Sequence, residues 1–156
     1  RIALFAELFP GALFLVMRRD LLNVAQSQLR VRRVLMGDPH TPFVTWPQEY
    51  YPRKGDDYVD DICTHIALVE QTIRRSMQAL GPERFQEVRY ADLCASPRSI
   101  VESVQQFYAD RSGHPLATQA LGELPTYFPY SNAVKVDKSD YRRLSSTLSE
   151  VLEASL

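Results

Sequence analysis

Residues 18 to 20, Arg-Arg-Asp, end a short apolar run and begin what reads as a helix, and Ser27 follows two turns later. Two adjacent cations are costly at the end of a buried strand unless that end faces water, a carboxylate or a phosphate. In an open parallel sheet ligands bind beyond the carboxyl ends of the strands. A helix that starts there adds unpaired N–H groups and a partial positive charge. An arginine fork, a hydroxyl and a helix N-terminus together make a cradle for a phosphate. On residue types alone a second reading stays open, in which Arg19 pairs with Asp20 or another carboxylate and Ser27 is a surface residue.

Other groups with chemistry are sparse. His40 lies in a proline-rich stretch, His65 falls one turn from an apolar helical stripe, and His114 sits in a turn. His40 alone is on a plausible substrate loop, whereas His65 reads as a packed or surface histidine. No two carboxylates and no Cys/His pair stand at metal-ligand spacing, so no metal is expected. Cys63 and Cys94 form no CxxC pair and are expected to be free buried thiols of a reducing, cytoplasmic setting.

The elements that must position these groups follow from periodicity. Ile2, Leu4, Phe5, Leu8 and Phe9 have helical spacing, and Pro10-Gly11 ends the pattern. Ala12 to Met17 is a continuous apolar run that suits a strand buried on both faces. Asp20 is placed to cap the next helix, whose stripe is Leu21, Val24, Ala25 and Leu29. Residues 37–57, with four prolines, Trp46, Tyr50 and Tyr51, read as an irregular substrate-side loop. Residues 58–80 read as a long amphipathic helix stopped by Gly81-Pro82. Phe85 to Tyr90 reads as a second strand, Ala91-Asp92-Leu93 as a turn, and Ser96-Pro97 as the cap and first position of a helix running to about Ala109. A short helix over 115–122 and a last helix capped by Ser139 or Asp140 complete the pattern.

Composition bounds the function. The chain has 156 residues, one domain's worth, and 18 basic against 19 acidic side chains. A net charge of -1 provides no general field for nucleic acid, so any anion must be held by local arginines. No apolar stretch is long enough to span a bilayer. The chain starts without methionine inside a helical pattern, which leads us to expect a fragment.

Arg19-Asp20 with Asn23-Val24-Ala25-Gln26-Ser27 resembles the 3′-phosphate-binding segment of sulfotransferases, R-D-P-x-D-V-x-x-S. The lead-in Phe9-Pro10-Gly11-Ala12-Leu13-Phe14 is similar to their F-P-x-A-x-F, and Glu83 to Leu93, followed by Ser96-Pro97, resembles E-R-x-x-x-V-R-Y-E-D-L with its trailing D-P and helix. These matches cover about two thirds of the chain in the expected order. Leu21 stands in place of the usual proline, Asn23 of aspartate and Ala91 of glutamate, changes at positions that are not phosphate ligands in the motif. Arg53-Lys54-Gly55 looks like the family's R-K-G stretch but precedes the second block instead of following it, and it reads as a turn with solvated charges.

The resemblance implies an α/β, helix-rich, partial P-loop-type fold in which a small parallel sheet is flanked by helices. It implies a donor, 3′-phosphoadenosine 5′-phosphosulfate, whose 3′-phosphate is held by Arg19 and Ser27. Tyr90 would lie near the adenine, or else pack in the core. Lys135 resembles the lysine of a V-x-K loop that closes over the nucleotide, with a solvated loop lysine as the alternative. Neither a P-K-[ST]-G-[ST] phosphosulfate loop nor a G-x-x-x-x-G-K-[ST] loop is present. The expected function is therefore the 3′-phosphoadenosine half of a donor site, serving sulfuryl transfer to an unknown hydroxyl or amine. The alternative is a non-catalytic nucleotide-binding or interaction domain, with self-association or a partner chain covering an incomplete sheet.

Overall fold

Two short strands pair in parallel, β1 (Phe14–Arg18) beside β2 (Phe85–Arg89), in the register Phe14↔Phe85 through Arg18↔Arg89. Parallel neighbours cannot be joined by a hairpin. The chain between them runs through α2 (Leu21–Val31) and the long α3 (Tyr58–Leu80). This is the helix-rich α/β arrangement with a small parallel sheet flanked by helices. The computed structural model describes residues 1–43, 57–116 and 124–154. Most of the predicted helix over 115–122, the Arg53-Lys54-Gly55 turn and most of the 37–57 loop lie outside these residues. The chain forms two compact units, one of residues 1–19 and 73–131, the other of 20–72 and 132–156.

The first unit holds α1 (Ile2–Leu8), the two strands, α4 (Tyr90–Ala95) and α5 (Pro97–Ser112). Phe14 and Phe85 stack across the sheet with centroids 5.0 Å apart. Arg84 donates from Nε and Nη2 to the Ala12 carbonyl at 3.1 and 2.8 Å and lies over the Phe14 ring. The arginine of the E-R motif thus pins the entry of β1 to the entry of β2.

Three expectations need correction in this unit. β1 is not buried on both faces: Val16 is buried, but Leu15 and Met17 are 52% and 49% exposed. In a strand the alternate side chains face opposite ways, and helices α4 and α5 pack against β2. Ala91-Asp92-Leu93 is helix, not turn. Tyr-Ala-Asp-Leu-Cys-Ala contains no Gly or Pro to break it, and the break comes at Ser96, which the following Pro97 disfavours in the helical region. Pro97 opens α5 as predicted, yet Ser96 makes no capping bond, its hydroxyl instead lying 2.7 Å from that of Ser99. The helix runs past Ala109 to Ser112, where Gly113 adopts the left-handed φ of 73° that a C-terminal stop requires.

The second unit is helical. Ala25 and Leu29 of α2, Val59, Ile62, Cys63 and Ile66 of α3, and Leu144 and Leu148 of α6 (Lys138–Ala154) form its core. The spacing within each helix is the three-and-four repeat that puts apolar residues on one face. Asp20 caps α2 as predicted, accepting from the Asn23 amide at 2.8 Å. α6 begins at Lys138, ahead of both predicted caps. Asp140 is instead buried in its first turn and accepts from the Tyr58 hydroxyl at 2.7 Å and from Arg33. After α2 the backbone widens into a π-turn over Arg32–Met36, which Gly37 ends. There Arg32, 1% exposed, pairs with Asp61, 3% exposed, at 3.3 Å. Both cysteines are free and buried. No helix among the described residues is long and apolar enough to cross a membrane.

Candidate functional site

The end of β1 divides its two arginines. Arg18 donates from Nε to the Glu87 carboxylate of β2 at 2.9 Å, an ion pair across the sheet. Alternation then sends Arg19 elsewhere, and its guanidinium carbon lies 4.8 Å from the centroid of the Tyr90 ring. No carboxylate among the described residues pairs with Arg19, and its Nε is buried without a hydrogen-bond partner among them. The ion-pair reading of Arg19 with Asp20 does not hold: the two make no ion pair, and Asp20 Oδ1 serves the cap of α2.

Tyr90 opens α4, and its ring meets Tyr130 at 5.9 Å in a tilted pair. The amide of Phe128 donates to the Cys94 carbonyl at 2.8 Å, which ties the aromatic segment 127–130 to α4. Interaction with the Cys94 side chain holds the Tyr90 hydroxyl above its ordinary pKa, with Arg19 pulling the other way. A half-buried ring with a guanidinium on it offers a flat, electron-rich surface beside a fixed cation.

In the second unit α2 carries Ser27, half-buried, its hydroxyl unbonded among the described residues. Lys135 belongs to the stretch between Asn132 and Asp137 and is exposed. Its backbone N–H donates to Gln26 Oε1 at 2.8 Å, so the segment bearing the lysine is anchored one residue from Ser27. Asn132 Oδ1 accepts from Asn23 Nδ2 at 3.1 Å, and Asp137 accepts from Arg33 Nη1 at 3.2 Å. The structure therefore brings Arg19 together with Tyr90, and the Lys135 backbone together with the helix of Ser27.

The histidines have other employment. His65 is buried and its Nδ1 lies 3.3 Å from Gln28 Nε2. His40 packs edge-on against Tyr58 at 5.2 Å, behind a turn in which its own amide donates to Asp38. His114 sits beyond α5 beside Ser112. Asn23, Gln26 and Asn132 are the residues that spacing did not single out. Asn23 and Gln26 stand three apart and so share a helix face, but nothing along the chain points to Asn132.

Comparison with known proteins gives one match. The model of the sulfotransferase family covers residues 1–109. No curated protein and no solved structure matches the chain.

Proposed function

Because the chain belongs to the sulfotransferase family, whose general chemistry is sulfuryl transfer, we propose that it carries the 3′-phosphoadenosine half of a 3′-phosphoadenosine 5′-phosphosulfate site. Arg19 and Ser27 are the contacts to the 3′-phosphate, Tyr90 a stacking surface for the adenine and Lys135 a further cation for the nucleotide. Residues 1–156 are read as a single domain of this family, acting in the cytoplasm, where Cys63 and Cys94 would stay reduced. When the 5′-phosphosulfate end is also held, the bond from sulfur to the bridging phosphate oxygen breaks as a bond from sulfur to the acceptor's oxygen or nitrogen forms; 3′-phosphoadenosine 5′-phosphate leaves, and the acceptor's proton passes to a base or to water.

The observation that carries this reading is the unequal fate of neighbouring arginines. Arg18 is neutralised by Glu87, whereas Arg19 has no carboxylate partner among the described residues and keeps a buried Nε unpaired. A buried donor left unsatisfied costs stability. Its retention beside an aromatic face fits a phosphorylated nucleoside, which would supply both the acceptor oxygens and the flat base.

The test is a titration of adenosine 3′,5′-bisphosphate and adenosine 5′-monophosphate into the protein and into Arg19→Ala. The protein should prefer the bisphosphate, and the substitution should remove that preference. Charge-assisted hydrogen bonds of this kind correspond to roughly ten- to hundredfold in affinity. Equal binding of both nucleotides, independent of Arg19, or no binding of either, would refute the donor-site assignment.

A second reading rests on a different observation. In the first unit Leu4, Phe5, Leu8 and Phe9 of the α1 region and Leu15 and Met17 of β1 are all exposed. Such a collection favours a covering partner, a second copy or another chain, and a non-catalytic interaction role. Concentration-dependent sedimentation separates the two: a strictly monomeric protein that binds the bisphosphate leaves only the first.

A further inference from the structure

Asp20, Asn23, Gln26, Asn132 and Lys135, all of the second unit, are joined by a single chain of hydrogen bonds. Asn23 Nδ2 donates to Asp20 Oδ1 at 2.9 Å and to Asn132 Oδ1 at 3.1 Å, so both of its N–H donors are used. Asn23 Oδ1 accepts from Gln26 Nε2 at 2.6 Å, and Gln26 Oε1 accepts from the Lys135 N–H at 2.8 Å. Asn23 and Gln26 are 8% and 3% exposed, so neither can exchange these bonds for water without opening the unit.

The polarity of this chain is fixed at both ends. The Asp20 carboxylate only accepts, so Asn23 must turn its NH₂ toward it. The Asn23 carbonyl then faces Gln26, which must answer with its own NH₂. That leaves the Gln26 carbonyl facing outward, where a backbone N–H can only donate. Each amide thus has one satisfactory orientation, set by the charge at the helix cap and read out at Lys135. The backbone of Lys135 is held while its side chain stays exposed and its ammonium pairs with no described residue.

From this geometry we propose that Asn23 and Gln26 are positioning residues that hold the 132–135 segment on α2 and so pre-set Lys135 for the donor. The proposal rests on the reading of Lys135 as a nucleotide contact. Holding a ligating side chain by its backbone lowers the ordering cost of binding without adding a contact. Asn23, which stands where the family usually has aspartate, then has a specific use: a carboxylate there could accept from Gln26 but could donate to neither Asp20 nor Asn132.

Amide exchange at Lys135 and binding of adenosine 3′,5′-bisphosphate test the two halves separately. Gln26→Met keeps the length and apolar stem of the side chain and deletes only its hydrogen bonds. It should speed exchange of the Lys135 amide by roughly fivefold or more, about the worth of a neutral hydrogen bond, while the Leu29 amide within α2 keeps its protection. Asn132→Ala, at an exposed residue that does not threaten the core, should loosen the same segment. Unchanged exchange at Lys135 in both variants would overturn the anchoring. For binding, Gln26→Met and Lys135→Ala should each weaken the bisphosphate, and the double variant should be no weaker than Lys135→Ala alone. Additive losses would overturn the claim that Gln26 acts through Lys135. Full affinity in Lys135→Ala would refute Lys135 as a contact, and with it the pre-setting, whatever the exchange data say of the anchor.

Discussion

Replacing Tyr58 by phenylalanine removes one oxygen from a cluster of ion pairs in the second unit. The Tyr58 hydroxyl donates to Asp140 at 2.7 Å and receives a long contact from Arg143 Nη1 at 3.4 Å. Its ring lies 5.9 Å from the Arg33 guanidinium and 5.4 Å from that of Arg143. Phenylalanine keeps the ring, and so keeps the core contact and both cation–π pairs. What is lost is a hydrogen bond to a buried carboxylate, worth about 1.5–3 kcal/mol. Asp140 retains Arg33, so the loss should stay below the roughly 3–5 kcal/mol of stranding a buried charge. With a urea slope of about 2 kcal/mol/M, the midpoint near neutral pH should fall by roughly 1 M. Burial alone would push the Asp140 carboxyl up, but the bonds from Tyr58 and Arg33 outweigh it and hold its pKa below the usual 3.8. Its stabilising contribution is therefore complete above that value and lost as pH falls through the lower, folded pKa. Tyr58→Phe removes the first of the groups responsible, so its acid-linked loss is smaller and complete at a higher pH. The gap between the two proteins must narrow on acidification. Urea melts followed by far-UV circular dichroism across that range decide it. A midpoint shift under about 0.2 M near neutral pH, by the same slope, or a gap that stays constant into acid, would refute the assignment of Tyr58 as a group that holds Asp140 ionised.

Other consequences follow from the two buried groups of the same unit. Arg32→Ala leaves Asp61 without its guanidinium and should cost about 3–5 kcal/mol in thermal or urea melts, whereas the apolar pair Arg32→Met with Asp61→Leu should recover most of that. An equal loss in both proteins would show that the pair does not act as a pair. Burial pushes the Cys63 thiol up to about 12 from 9.0, so near pH 8 only about one molecule in ten thousand carries the thiolate. Cys63 should resist iodoacetamide in the folded protein and react in urea, and the stability should decline above pH 9, where the unfolded thiol ionises and the folded one does not. Rapid alkylation under native conditions would contradict this.

Local signals carried most of the fold. The bounds of α3 at Tyr58 and Leu80 follow from one apolar stripe and the Gly81-Pro82 stop, and the Asp20 cap follows from a single residue type at a helix start. What failed depended on partners remote in sequence. Whether Leu15 and Met17 are buried is set by the helices that cover β1, which an apolar run cannot report. Asp140 has the residue type and place of a cap, but its oxygens are taken by Tyr58 and Arg33, 82 and 107 residues away. Asn23 reads along the chain as a departure from a motif. Its meaning lies in Asn132, 109 positions on. The R-D…S motif was legible for the same reason as the cap, since its residues lie within one strand end and two helical turns.

The same stretch, residues 18 to 27, shows how structure can narrow a functional assignment by elimination. It carries six polar side chains that could face a ligand: Arg18, Arg19, Asp20, Asn23, Gln26 and Ser27. Folding claims four of them. Arg18 is taken by Glu87, and Asp20, Asn23 and Gln26 by the amide chain that ends at Lys135. Asn23 and Gln26 are buried and must stay paired, and Arg18 and Asp20 face a ligand only by giving up the bonds they make. Arg19 and Ser27 are left, one with an unpaired buried Nε and one with an unbonded hydroxyl among the described residues. They are the two positions at which the family motif has its phosphate ligands. Under the proposed donor site these are the two contacts to the 3′-phosphate, so Arg19→Ala is the substitution on which that proposal should stand or fall.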